Sequence, residues 1–274
     1  MTYKTILAAL APTEEKQAGA EYAISMAQTF HAHLSAYSYA LQPTVPGAGL
    51  PWVPRELVEG HMANVLKQAD SVLRQLQNRA REAKIETSCE VVRSGLNNAV
   101  ATFAAEARVC DIAVVSQSQP GLEHAGDLFA EAVLFHSGRP LLLVPHNHSE
   151  TFSARHVLIA WDGSQHAARA VRDALPMLAL ANKVELLVVG DNQAMKRSHA
   201  AKMIANLQRH DISADLICHD DTNHARMIEQ QAKSLGASLL VMGGYGRARA
   251  RELLFGGVTR SMLTNTPVPV LMAH

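Results

Sequence analysis

The amino-acid sequence repeats itself, and this limits the fold more than any other feature. "KTILAALAPT" from Lys4 matches "RHVLIAWDGS" from Arg155 in kind, each a short apolar run, a turn, then an alanine-rich helical stretch. The match continues with "IETSCEVV" from Ile85 against "ISADLICH" from Ile212, and "CDIAVVSQ" from Cys110 against "GASLLVMG" from Gly236. Strands alternating with helices of roughly 10–15 residues require right-handed crossovers around a parallel sheet. The expectation is an α/β fold of two tandem five-stranded parallel-sheet domains, 1–146 and 155–274, with the polar stretch 145–154 as a linker.

In the second copy the pattern predicts strands near 156–161, 184–189, 213–218, 238–242 and 269–273, with helices near 164–180, 194–209, 222–235 and 257–265. The offset between copies falls from 151 at Ile6 and Val157 to 127 further on, so the first copy carries about 24 extra residues. They fall in "LQPTVPGAGLPWVPRELVEG", a Pro- and Gly-rich excursion before a long helix near 56–84. This insertion reads as a surface flap or as a lid or docking loop presenting Trp52.

Composition excludes several functions. A chain of 274 residues that is 48% hydrophobic can bury a sizeable core, and 25 basic against 25 acidic residues leave no global field for nucleic acid or an anionic membrane. Three cysteines without close spacing argue against a disulfide framework or a zinc knuckle, and Cys89 and Cys218 read as buried apolar residues on third strands. No apolar run is long enough for a signal-peptide core or a membrane span, so a cytoplasmic protein is expected. The histidine pairs His31/His33, His146/His148 and His219/His224 lack the context of a metal motif, although His219 ends a strand at the edge where ligands gather. No Walker A, nucleophile-elbow or H-E-x-x-H signature occurs, and no residue stands out to position an attacking water, so catalysis beyond slow hydrolysis is not expected.

One stretch does carry binding chemistry. In "VMGGYGRARARELLFGGVTR", 241–260, Gly243, Gly244 and Gly246 follow a strand directly, where positive φ angles let backbone N–H groups form an anion nest. Gly256 and Gly257 precede the last helix, whose first N–H groups also suit an anion. Arg247, Arg249 and Arg251 ahead of a helix N-terminus oppose its dipole unless an anion sits between. Asp162 places a carboxylate at the same sheet edge, where it can accept ribose hydroxyls; Asp162 or Ser164 can also cap the following helix, and the two roles are compatible.

These residues resemble the universal stress protein family, whose nucleotide-binding members carry G-x-x-G, nine residues, then G-S or G-T. Here Gly243 to Gly246, nine residues and Gly256 match, and the resemblance covers both copies, including the closing strands "PLLLV" and "VPVLM". It implies a Rossmann-like, adenine nucleotide alpha hydrolase-like fold in which the closing strands pair across a two-fold axis, giving a pseudo-dimer within one chain and leaving homodimers open. It further implies ATP, accompanied by Mg2+, with Ala160, Val188 and Met242 walling the base, Asp162 on ribose or adenine, and Gly243, Gly246, Gly256 and Val258 on the phosphates. Gly257 stands where the family has Ser or Thr, removing a hydroxyl worth about 1 kcal/mol; its N–H survives, and Thr259 is the nearest substitute. In the first copy Ala11 aligns with Asp162, and Gln117 and Pro120 with Gly243 and Gly246, while Asp127 beside Gly126 would repel phosphate. That copy is expected to bind no nucleotide and to act as a structural partner. The resemblance thus implies a non-catalytic stress-response protein with unidentified protein partners.

Overall fold

A computed structural model of the chain describes residues 2–12, 18–42, 55–118, 125–190, 193–244 and 257–274. The first half runs β1 (Thr5–Leu10), α1 (Ala18–Phe30), β2 (His33–Leu41), α2 (Arg55–Glu82), β3 (Thr87–Ser94), α3 (Leu96–Ala107), β4 (Ile112–Ser116), α4 (Ala125–Ala132) and β5 (Leu141–Val144). A π-helical turn, Val133–Ser137, continues α4. The second half runs β6 (His156–Ala160), α5 (Gln165–Leu178), β7 (Lys183–Val189), α6 (Gln193–Gln208), β8 (Asp215–His219), α7 (His224–Ser234), β9 (Leu239–Gly243), α8 (Val258–Thr264) and β10 (Val270–Ala273). The insertion around Trp52 lies outside the described residues, and the predicted long helix after it is α2. No helix among the described residues is long and apolar enough to cross a membrane.

The ten strands form one sheet in the order β3-β2-β1-β4-β5-β10-β9-β6-β7-β8. Pairing is parallel within each half and antiparallel only between β5 and β10, where Leu142 faces Leu271. The closing strands therefore lie at the centre of the sheet, and Leu141, Leu142, Val270, Leu271 and Met272 are fully buried. Strands covered on both faces can be apolar throughout, which is why "LLLV" and "VLMA" show no alternation. Each face of the sheet carries one apolar cluster, and each cluster runs through both halves.

Three sequence expectations shift. The register pairs Ile6 with Ile112 and Val157 with Leu239, so Ser116, not Gln117, is the counterpart of Gly243. The polar stretch before β6 is also no free tether: Phe152 donates its N–H to Ser25 Oγ at 2.7 Å and packs against Tyr22 and Phe30. Cys89 and Cys218 are half-buried rather than sealed, although both pack against the core, and burial pushes the Cys89 thiol up.

Candidate functional site

Parallel pairing brings the C-terminal ends of β6, β7, β8 and β9 to one edge of the second half. Asp162 stands two residues beyond β6, exposed, with its Oδ1 accepting the Ser164 N–H at 2.9 Å. Ser164 Oγ in turn accepts the Ala167 N–H at 3.1 Å, so the capping alternative for this pair is realised. Gly163 between them takes a positive φ of 78°, which tightens the turn.

The end of β9 rests directly on the start of α5. A Cβ added to Gly243 would lie 2.6 Å from the Ala167 nitrogen and 2.8 Å from the His166 carbonyl carbon, so only glycine fits there. The Gly244 N–H donates to the Ala273 carbonyl at 2.8 Å, and its own carbonyl accepts from His274 Nδ1 at 3.1 Å. His274 stacks on His166 with centroids 4.3 Å apart and planes 15° from parallel. Burial and the neighbouring His274 hold the His166 imidazole below its usual pKa, against the pull of Asp162. Neither histidine was singled out from the sequence, because nothing local links positions 166 and 274.

A cavity of about 820 Å³ opens between α7 and α8. Thr222, Asn223, His224, Gly257, Val258 and Arg260 line it, and among the described residues its lining holds no acidic side chain. The Asn223 side chain caps α7 by accepting the Arg226 N–H at 3.1 Å. Gly257 is exposed, its backbone is extended, and a Cβ there would meet nothing within 4 Å. A volume within roughly 300–1,000 Å³, with cationic and hydrogen-bonding groups, is the size and character of a small-ligand site.

The anticipated residues distribute unevenly around this edge. Ala160, Met242 and Val258 belong to the same apolar cluster on one face of the sheet. The Val188 side chain lies fully buried on the opposite face with Val184 and Leu186, so only its main chain reaches that edge. Gly257 and Val258 line the cavity, whereas Thr259 is buried and does not. Gly246, Gly256, Arg247, Arg249 and Arg251 lie outside the described residues.

The first half differs at the matching edge. Ser116 Oγ, in the place of Gly243, accepts the Gly19 N–H at 3.0 Å. Register makes Tyr39 the counterpart of Val189, and its ring stacks on Phe129 at 4.6 Å while Phe103 meets Phe129 edge-on at 5.3 Å. Burial drives the Tyr39 hydroxyl strongly toward its neutral form.

The sequence profile of the Universal stress protein family matches residues 2–145 and 191–274. The chain belongs to this family. A universal stress protein from Archaeoglobus fulgidus DSM 4304 superposes with a TM-score of 0.75 at 15% identity, over 98% of this chain and 97% of that one. A putative universal stress protein from Pseudomonas aeruginosa UCBPP-PA14 gives 0.67 at 14% identity, over 99% and 93%. A functionally unknown protein from Pseudomonas aeruginosa PAO1 gives 0.66 at 14%, over 99% and 92%. At these identities the likeness is one of fold. Among curated proteins no match is found. The tandem arrangement of this universal stress protein, two copies sharing one sheet, agrees with the two profile matches.

Proposed function

We propose that this universal stress protein holds an adenine nucleotide, ATP with Mg2+, in its second half, and acts as a non-catalytic stress-response protein of the cytosol. The observation that carries the reading is the cavity at the end of the glycine stretch, with Arg260, His224 and the open Gly257 on its wall and, among the described residues that line it, no carboxylate to repel phosphate. In this reading the Gly257 N–H and Arg260 meet the polyphosphate, the Ala160–Met242–Val258 cluster backs the base, and Asp162 meets the ribose. Gly243 acts indirectly, letting the end of β9 lie against α5. The first half, with Tyr39 and Phe129 filling the matching face, binds no nucleotide and serves as the partner.

Binding to the folded state alone stabilises it by about 2.7 kcal/mol at a hundredfold excess over Kd. For a chain of this size that raises the melting temperature by about 5–10 °C. ATP with Mg2+ is expected to produce such a rise and Asp162→Ala to abolish it, the comparison being between shifts with and without ligand because Asp162 also accepts the Ser164 N–H. A second reading, a scaffold working through protein contacts alone, is favoured by the missing hydroxyl at Gly257. It predicts no shift at millimolar ATP and no nucleotide in the mass spectrum of the purified protein.

A further inference from the structure

Both described ends of the glycine stretch rest on the first half of the chain. At the entrance, a Cβ on Gly244 would meet Leu134 Cδ2 at 3.4 Å, so Leu134 of the π-helical turn already abuts the backbone there. Its neighbour Phe135 packs edge-on against His274 at 5.0 Å, and His274 holds the Gly244 carbonyl. At the exit stands α8, which begins immediately after Gly257. Gln117, only 2% exposed, extends its amide across the seam and donates from Nε2 to the carbonyls of Met262 at 3.2 Å and Leu263 at 3.0 Å.

The chemistry at this contact is one-sided. Both partners are carbonyl oxygens, which can only accept, so the amide must present its NH2 group. They belong to the last turn of α8, where helix carbonyls have no partner within the helix. A helix of seven residues is far too short to hold itself. Toward α7, Ser261 Oγ of α8 donates to Glu229 at 2.9 Å. Gln117 follows Ser116, the counterpart of Gly243, so the first copy uses the position matching Gly244 to reach into the second.

We propose that Gln117 is a positioning residue for the candidate nucleotide site: it fixes α8 across the seam and thereby sets Gly257, Val258 and Arg260 on the cavity wall. The first half is then the mount of the second half's site and not merely an inert partner. This rests on the nucleotide reading for its consequence, but the clamp itself can be measured without nucleotide.

The test compares the full chain with Gln117→Met, which keeps volume and loses the donor, and Gln117→Glu, which turns an acceptor toward the two carbonyls. Arg169→Ala serves as the control, because Arg169 donates to the Gly138 carbonyl elsewhere on the seam. Hydrogen exchange of the 258–264 amides is expected to quicken about fivefold in Gln117→Met, as loss of about 1 kcal/mol implies, and more in Gln117→Glu, with β6 and α5 unchanged. Affinity for ATP is expected to fall by a similar factor in the same order. Exchange that stays at the wild-type rate, that quickens evenly across the second half, or that responds equally to Arg169→Ala overturns the clamp. If the wild-type protein binds no ATP, the nucleotide reading falls and the exchange comparison alone decides the clamp.

Discussion

Gly243 and Gly257 stand at the two ends of the glycine stretch under opposite constraints. An added Cβ on Gly243 meets the α5 backbone at 2.6 Å, which cannot yield as a side-chain tip can, whereas Gly257 has open space and an extended backbone that any residue adopts. Gly243→Ala is therefore expected to cost about 1–3 kcal/mol in denaturant unfolding, in the range of overpacking. Gly257→Ser should leave stability within about 0.5 kcal/mol and, by restoring the missing hydroxyl, tighten ATP about fivefold in calorimetry. A tighter site would also separate the nucleotide reading from the scaffold reading, which predicts no binding in either form. In the sequence both glycines look alike, because the difference lies in what the fold brings against them. The local chemistry of Asp162 and Ser164 was more legible, since a cap needs only neighbours along the chain.

Among the elements, β7 carries a charge that its apolar pattern conceals. Glu185 is only 5% exposed and is held by His156 Nε2 at 2.6 Å and Lys183 Nζ at 2.6 Å. Burial pushes its carboxyl up, but the hydrogen bonds and charges of Lys183 and His156 outweigh that and leave it below its usual range. A carboxylate lowered on folding contributes stability that is complete above its unfolded pKa of about 4.3 and disappears as pH falls through the folded value. Urea unfolding between neutral pH and about pH 3 should therefore show an acid-side loss that is reduced in Glu185→Gln, while Glu185→Ala costs about 1–3 kcal/mol at neutral pH. Element positions were readable from hydrophobic period and turn residues, and β6 to β10 begin and end close to where the pattern put them. Register was not. Aligning Gln117 with Gly243 is off by one, and in a strand of period two one residue changes face. That slip hid the role of Gln117, whose partners lie on a helix in the other half.

At the scale of the whole molecule, the repeat explains the seam. β5 and β10 are counterparts, and they pair antiparallel across the pseudo-two-fold at the middle of the sheet. A fragment carrying the second half alone would expose β10 as an apolar edge, with Leu271 and Met272 losing the neighbours that keep them fully buried. Because β10 already fits a strand of its own kind, pairing between two β10 strands is the self-complementary way to cover it. The fragment 151–274 is therefore expected to sediment as a dimer, and Leu271→Lys to give monomer or aggregate; a soluble wild-type monomer would show that the seam is not what holds the halves. Such a dimer would restore the sheet without restoring the clamp. Its Gly244 stands where the full chain has Gln117, and glycine has no side-chain amide to reach α8. The fragment dimer should accordingly bind ATP about as weakly as full-length Gln117→Met, so the first copy's divergence would appear as a gain for the second copy's site and not only as the loss of its own.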